Sequence, residues 1–225
     1  MVNIITSPTR PTLPLKETNE VFPVSRVFGI GRNYSETPEN ETKDKVLTVL
    51  FMKDAYQLSL ADDGIVYPKN TTQLRYEIEL VVAIGKAGKN ISPKDAEQYI
   101  YGYAVGVDFT QYDAQEIAKQ HGWPWDKGKS FEGCAPCSAI KSKEAVKLDN
   151  NLVWLKKNDV EVQSGTLNQM IWTIPEIVSL ISSEFGLLPG DLIFTGTPKG
   201  IGMVSKGDWL EGGVDGVESI RFQVK

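Results

Sequence analysis

The run Leu80-Val81-Val82-Ala83-Ile84 constrains this chain more than any other stretch. Consecutive apolar residues closed by Gly85 read as a strand buried on both faces. Directly before it stand Glu77 and Glu79. Residues two apart in a strand share a face, so both carboxylates project together from the mouth of an apolar strand. Like charges so placed are unfavourable unless something cationic lies between them. An ordinary reading exists, since Glu-x-Glu also marks the wet face of an edge strand. A second stretch weighs against it. Tyr101-Gly102-Tyr103-Ala104-Val105-Gly106-Val107 is another apolar strand, and it ends in Asp108. Asp108 shares its face with Gly102, Ala104 and Gly106, whose small size is expected to leave room for something bound. Three carboxylates at the ends of two strands suit a hard divalent cation such as Mg²⁺, which takes oxygen ligands and keeps open positions for substrate.

The rest of the composition sets limits. A chain of 225 residues, 41% hydrophobic and 24% charged, can bury a core as one large domain or two small ones. A net charge of −5 argues against a nucleic-acid partner. No apolar run approaches the ~20 residues of a membrane span. The first residues lack the apolar core of about 7–15 residues that marks a signal peptide. A soluble, cytoplasmic protein is the expectation. Cys134-Ala135-Pro136-Cys137 has redox spacing, yet it leads into what reads as strand rather than opening a helix. Zinc would need two further soft ligands, and His121 is the one histidine. Buried, inert thiols are expected.

Taken in order, residues 1–25 are Pro-rich and expected to wrap the domain rather than form its core. Val27 to Gly31 is a short strand. Gly29-x-Gly31 lacks the third glycine of a dinucleotide fingerprint and has no helix after it. A polar loop follows, Ser35 to Lys45, of a composition found at site entrances. Leu47 to Met52 resumes as strand and ends in Lys53. Capping boxes at Ser92-Asp95, Thr110-Asp113 and Thr173-Glu176 predict helices to about Tyr101, Gln120 and Phe185. The last has an apolar stripe at 174, 177, 178, 181 and 185 and is core. Leu152–Lys156 and Val160–Gln163 read as a hairpin around Asn158-Asp159. Gly196 to Gly202 is a small-residue loop suited to close approach of an anion. Strands without regular βαβ alternation give an α+β class, mainly β, with a mixed or antiparallel sheet and a few short helices.

Several motifs occur together and in order: Gly31-Arg-Asn-Tyr34, Phe51-Met-Lys53, Glu77-Ile-Glu79, Val107-Asp108, Lys129-Ser-Phe131, Leu188-Pro-Gly-Asp191 and Thr195-Gly-Thr-Pro-Lys-Gly200. In this the chain resembles the fumarylacetoacetate hydrolase family, most of all its small acylpyruvase, oxaloacetate decarboxylase and isomerase members. The resemblance implies a mixed β-sandwich roll, a Mg²⁺ or Mn²⁺ ion, a small 2-oxo acid substrate and a homodimer. It implies an extended segment over residues 1–20 and a single catalytic domain over 21–225. By motif match Glu77, Glu79 and Asp108 stand where the family binds metal. Lys129 stands at its active-site lysine, and Arg32, Lys53, Gln115 and Thr197 fall at positions assigned to substrate binding.

The departures bear on the chemistry. Hydrolytic members carry a His three residues after the Gly-Arg-Asn-Tyr motif and then a Glu, which together activate water. Here those positions hold Thr37 and Asn40, with Glu39 and Glu41 on either side of the latter as alternative bases. An Arg that helps grip substrate four residues after the metal Asp is Tyr112 here. A metal platform with Lys129 can stabilise an enolate by charge. Hydrolysis also needs a general base, commonly worth roughly 10²–10⁴-fold, whereas decarboxylation and keto–enol isomerisation need no hydroxide. The residues therefore favour decarboxylation or isomerisation. C–C bond hydrolysis of acylpyruvates or fumarylacetoacetate-like diketo acids, and non-catalytic binding of metal and oxo acid, are the alternatives.

Overall fold

The computed structural model describes residues 5–6, 8–16, 18–38 and 49–225. In chain order its first strands are β1 (Thr12–Pro14), β2 (Val21–Pro23), β3 (Val27–Gly31), β4 (Val49–Lys53), β5 (Leu58–Leu60), β6 (Leu74–Tyr76), β7 (Ile78–Ile84), β8 (Ile100–Val107) and β9 (Thr110–Gln111). Then come β10 (Ala135–Cys137), β11 (Lys141–Ser142), β12 (Leu152–Lys157), β13 (Val160–Thr166), β14 (Leu192–Phe194), β15 (Gly202–Met203), β16 (Trp209–Val214) and β17 (Glu218–Gln223). The α-helices are α1 (Tyr112–His121), α2 (Asp126–Lys129) and α3 (Ile174–Glu184).

The main sheet runs β4-β3-β14-β7-β8-β10-β5, with β11 also on β8. It is mixed: β14 lies parallel to β3 and β10 parallel to β5, while the remaining pairs are antiparallel. A second sheet, β13-β12-β16-β17, is antiparallel throughout. A third, β15-β6-β9, has three short strands. The α+β, mainly β class with rolled, sandwiched sheets is the architecture observed.

β7 sits at the centre because every one of its residues is buried. Its alternation divides the molecule. Ile78, Leu80, Val82 and Ile84 enter a large core with Val153, Leu155, Leu210 and Phe222 of the second sheet and with Ile177 and Ile181 of α3. Val81 and Ala83 face a smaller core with Ala104, Cys137 and Phe194. Leu13, Phe22 and Val24 are buried in that smaller core. The N-terminal stretch therefore supplies core residues rather than only wrapping the domain, because the antiparallel β1–β2 ribbon covers the second face of β7.

Local signals held unevenly. Asn158 and Asp159 have φ of 50° and 65°, the conformation of a primed turn, and join β12 to β13. Thr173 and Glu176 close a capping box at α3. The Ser92 segment forms a 3₁₀ helix over Pro93–Tyr99 instead of an α-helix. The capping box expected at Thr110 is absent. Thr110 is held extended in β9 by pairing with Arg75, and Asp113 accepts instead from the Thr71 hydroxyl (2.6 Å) and the Thr72 N–H (3.1 Å).

The small residues on β8 also have a different reason from the one expected. A Cβ on Gly102 would lie 2.3 Å from the Lys141 carbonyl, and one on Gly106 would lie 2.7 Å from the Phe194 ring. Close approach of β11 and Phe194 requires them. That face is packed, not vacant.

Candidate metal and active site

The carboxylates of Glu77, Glu79 and Asp108 come together, with one oxygen from each within 4.8 Å of the others. Pairing of β7 with β8 causes this: Glu79 lies opposite Gly106 and Ile78 opposite Val107, so Asp108 emerges beside the two glutamates. The Asp108 N–H donates to the Glu77 carbonyl at 2.8 Å, which fixes the corner.

Two lysines approach this cluster from different sides. Lys129, the last residue of α2, places its ammonium 2.8 Å from Glu77 Oε2 and 2.6 Å from Asp108 Oδ2. It is 3% exposed, so it is no surface lysine of a Gly/Ser loop. Lys53, at the end of β4, lies 2.7 Å from Asp108 Oδ1 and donates to the carbonyls of Phe109, Lys129 and Cys134. Its charge is enclosed by those acceptors beneath the site. Lys53 is not among the cavity-lining residues, and the contacts it makes here are to Asp108 and to those carbonyls.

The electrostatics separate the three acids. Burial would raise Asp108, but Lys129 and then Lys53 outweigh it and hold its carboxyl below the ordinary value. Burial raises Glu77, against the pull of Lys129. Glu79 is pushed well above the ordinary range by burial first, then by Asp108 and Glu77. It is 2% exposed, and its hydrogen bond comes from the Gly196 N–H at 2.6 Å. Among the described residues no cation pairs with it. A buried carboxylate in this condition, beside two others, fits a divalent cation, which would relieve the repulsion. Lys129 is shifted the other way: burial opposes its charge, but Asp108 and Glu77 prevail and hold it above the usual lysine range.

The loop after β14 is fastened to the cluster. The Thr195 hydroxyl donates to the Leu80 carbonyl, and the Asn33 amide donates to the Thr195 carbonyl at 2.8 Å. Gly196 has φ +94°, and a Cβ there would meet Asn33 Cβ at 2.7 Å. The glycine lets the backbone aim its N–H at Glu79. That amide serves the carboxylate rather than an incoming anion. Thr197 donates to the Ile78 carbonyl (2.6 Å) and accepts from Gln163 (2.9 Å), while Gln163 also accepts from the Ile78 N–H.

A cavity of about 410 Å³ opens over the cluster. Glu77, Glu79 and Lys129 line its floor, and of the expected substrate-binding residues Arg32, Gln115 and Thr197 also line it. The Gln115 amide makes no hydrogen bond to the described residues. Tyr34 lines the cavity with a buried hydroxyl that has no partner among the described residues; burial, then Glu79, holds its proton on above the ordinary tyrosine range. Arg75, Tyr112, Lys119 and Lys199 complete a cation-rich wall. Sequence reading missed Tyr34, Arg75 and Gln163 as site residues. Arg75 did carry a signal, because it precedes Glu77 by two and shares its strand face. Gln163, far away in sequence on β13, carried none.

Thr37 is exposed and is not among the cavity-lining residues. Glu39, Asn40 and Glu41 lie outside the described residues. His121 ends α1, with Nδ1 2.9 Å from the Ile117 carbonyl and its ring stacked on Trp123, away from the cavity. Cys134 and Cys137 are buried free thiols, and burial followed by Cys134 raises Cys137. No helix is long and apolar enough to cross a membrane among the described residues.

Comparison with known proteins bears on this geometry. Residues 26–225 match the family described as fumarylacetoacetate (FAA) hydrolase C-terminal. The chain is 40% identical over 174 residues to a fumarylpyruvate hydrolase of Ralstonia sp, covering 77% of this chain and 91% of that protein. It is 40% identical over 199 residues to the mitochondrial oxaloacetate tautomerase FAHD1 of Mus musculus, covering 87% and 90%. The crystal structure of fumarylpyruvate hydrolase from Pseudomonas aeruginosa in complex with Mn²⁺ and pyruvate superposes with a TM-score of 0.92. That pair shares 34% identity and 99% coverage of both chains. With a family match over residues 26–225 and relatives of this identity, the chain belongs to the fumarylacetoacetate hydrolase family.

Proposed function

We propose that the chain is a divalent-metal-dependent enzyme that promotes keto–enol isomerisation or decarboxylation of a small 2-oxo acid. The observation that carries this reading is the cluster Glu77–Glu79–Asp108 with Lys129 at the floor of a cation-lined cavity that contains no histidine. Glu77, Glu79 and Asp108 would hold Mg²⁺ or Mn²⁺, and the ion seen in the Pseudomonas structure favours the same kind of metal here. When bound, the cation supplies Lewis-acid stabilisation of charge on a keto oxygen.

The chain's own groups supply the rest. Lys129 keeps its proton and places a fixed positive charge beside the acids, where developing negative charge on the substrate is favoured. Tyr34 keeps its proton too, and its buried hydroxyl is a donor without a partner among the described residues. Gln115 offers a free amide, and Arg32 a cation at the rim. Thr197 has its hydroxyl committed to Ile78 and Gln163, so its part is to hold the loop against the substrate. Residues 21–225 form the single catalytic domain in this reading, with β1 added to it as a ribbon. A homodimer is part of the proposal, motivated by the exposed Tyr56 and Val66; light scattering that returns a monomeric mass removes it.

Hydrolysis of acylpyruvates is the second reading, favoured by the 40% identity to a fumarylpyruvate hydrolase. It requires a base to activate water, and Glu39 or Glu41 are its candidates. One experiment separates the two. The purified chain with Mg²⁺ or Mn²⁺ is assayed against oxaloacetate, acylpyruvates and fumarylpyruvate. Enol–keto conversion or loss of CO₂ from oxaloacetate with poor acylpyruvate cleavage is expected. Efficient cleavage by the natural chain overturns the first reading in favour of the second, and no turnover of any of them overturns both.

A further inference from the structure

The cavity contains one cation whose position is explained neither by the acids of the floor nor by solvent. Arg75 lies in β6, fixed on one side by β9 and on the other by β15. Its guanidinium carbon stands 3.2 Å from the centre of the Tyr112 ring. Such stacking holds the planar group in one orientation and leaves its edge free. Among the described residues that edge meets no acceptor: Arg75 Nε is buried and makes no hydrogen bond to them. No carboxylate of the described residues forms an ion pair with it. Glu116, whose carboxyl Arg75 helps in small part to hold low, is itself paired with Lys119 at 2.8 Å. A desolvated donor without an acceptor is costly, so its retention in a cavity wall points to a ligand that supplies one.

The other wall cations differ. Lys199 is held by Glu36, Lys119 by Glu116, and Arg32 is exposed. Lys129 already answers two acids of the floor. Among the described residues Arg75 is thus the pre-oriented, partly dry and uncommitted cation of the cavity, two residues before Glu77. A planar fork so presented matches a carboxylate.

We propose that Arg75, stacked on Tyr112, binds a second carboxylate of the substrate and makes this site selective for dicarboxylic over monocarboxylic 2-oxo acids. This rests on the reading of the site as one for 2-oxo acids. Arg75 acts as a binding residue at the end of the substrate remote from the floor, and Tyr112 positions it.

The test is calorimetric and kinetic. The Mn²⁺-loaded protein and its Arg75→Gln variant are titrated with pyruvate and with oxaloacetate, and turnover of oxaloacetate and fumarylpyruvate is followed in parallel. The natural protein should prefer the dicarboxylate. In Arg75→Gln the ratio of dicarboxylate to pyruvate affinity should fall roughly 10–100-fold, the range for losing a charge-assisted bidentate contact. The kinetic loss should lie mainly in KM. An unchanged ratio, or an equal loss for pyruvate, overturns the proposal. Should Arg75→Gln not fold, Arg75→Lys, which keeps the charge but loses the fork, is read in the same way. A smaller fall in the ratio is expected, and an unchanged one is fatal. Arg75-dependent binding without turnover retires the catalytic reading and keeps this one. Turnover with an unaltered ratio does the reverse.

Discussion

Lys53 supports Asp108 from beneath: its ammonium lies 2.7 Å from Asp108 Oδ1, and both side chains are about 1% exposed. Three carbonyls crowd round the two N–H donors of that ammonium that Asp108 leaves over. Replacing Lys53 by Met would leave a buried carboxylate and three buried carbonyls short of a donor. The expected loss of stability is about 3–5 kcal/mol, the usual cost of breaking a buried pair from one side. Urea unfolding of the metal-free protein measures it. A loss below about 1 kcal/mol would mean that Lys53 faces water in solution and was free to meet substrate after all.

Glu79 is the acid that a cation would relieve most. Glu79→Gln should weaken Mn²⁺ or Mg²⁺ binding by more than roughly 10²-fold, since even an outer partner of a metal site is worth 10–100-fold. The same change should stabilise the metal-free protein, because it removes a desolvated charge next to two others. The pH dependence has a definite sign. The native pKa of Glu79 is raised above its ordinary 4.5 by burial, Asp108 and Glu77, so the folded state binds the extra proton and its ionisation costs stability. The advantage of Glu79→Gln should therefore be full above the raised pKa and fade as pH falls from there to 4.5. Thermal melts in chelator across this window check it, and an advantage that grows towards acid would contradict it.

Lys129 shares its carboxylates with any incoming cation. Lys129→Met should lower turnover by roughly 10²–10³-fold, the cost of removing one charge-stabilising donor. Metal affinity should hold or rise, because the ammonium no longer competes for Glu77 and Asp108. Calorimetry beside steady-state kinetics separates the two effects. A parallel loss of both would assign Lys129 to the scaffold.

The missing water-activating pair predicts the balance of chemistries. Thr37→His with Asn40→Glu should raise acylpyruvate cleavage relative to oxaloacetate isomerisation by up to roughly 10²–10⁴-fold, the range for one general base. In the competing case the natural chain already cleaves acylpyruvates well, and Glu39→Gln or Glu41→Gln abolishes that activity.

The sequence by itself determined the elements whose cause is local. Its continuous apolar run marks the Leu80–Ile84 part of β7, because a strand segment packed on both faces must be apolar where no site interrupts it. Asn158-Asp159 forms its turn from residues that tolerate positive φ. The acids at the ends of two strands were legible because alternation in a strand is fixed by geometry alone. Family motifs added the order of the site. Tertiary structure decided what depends on partners distant in sequence. Thr110 has the pattern of a helix cap, but pairing with Arg75 holds it in a strand. The glycines of β8 look like room for a ligand and are instead filled by Phe194 and the Lys141 carbonyl. Lys53 and Lys129 read alike as lysines near an acid. Packing alone encloses one among carbonyls beneath Asp108 and leaves the other on the cavity floor, because the cost of burying a charge is set by the acceptors that the fold brings to it.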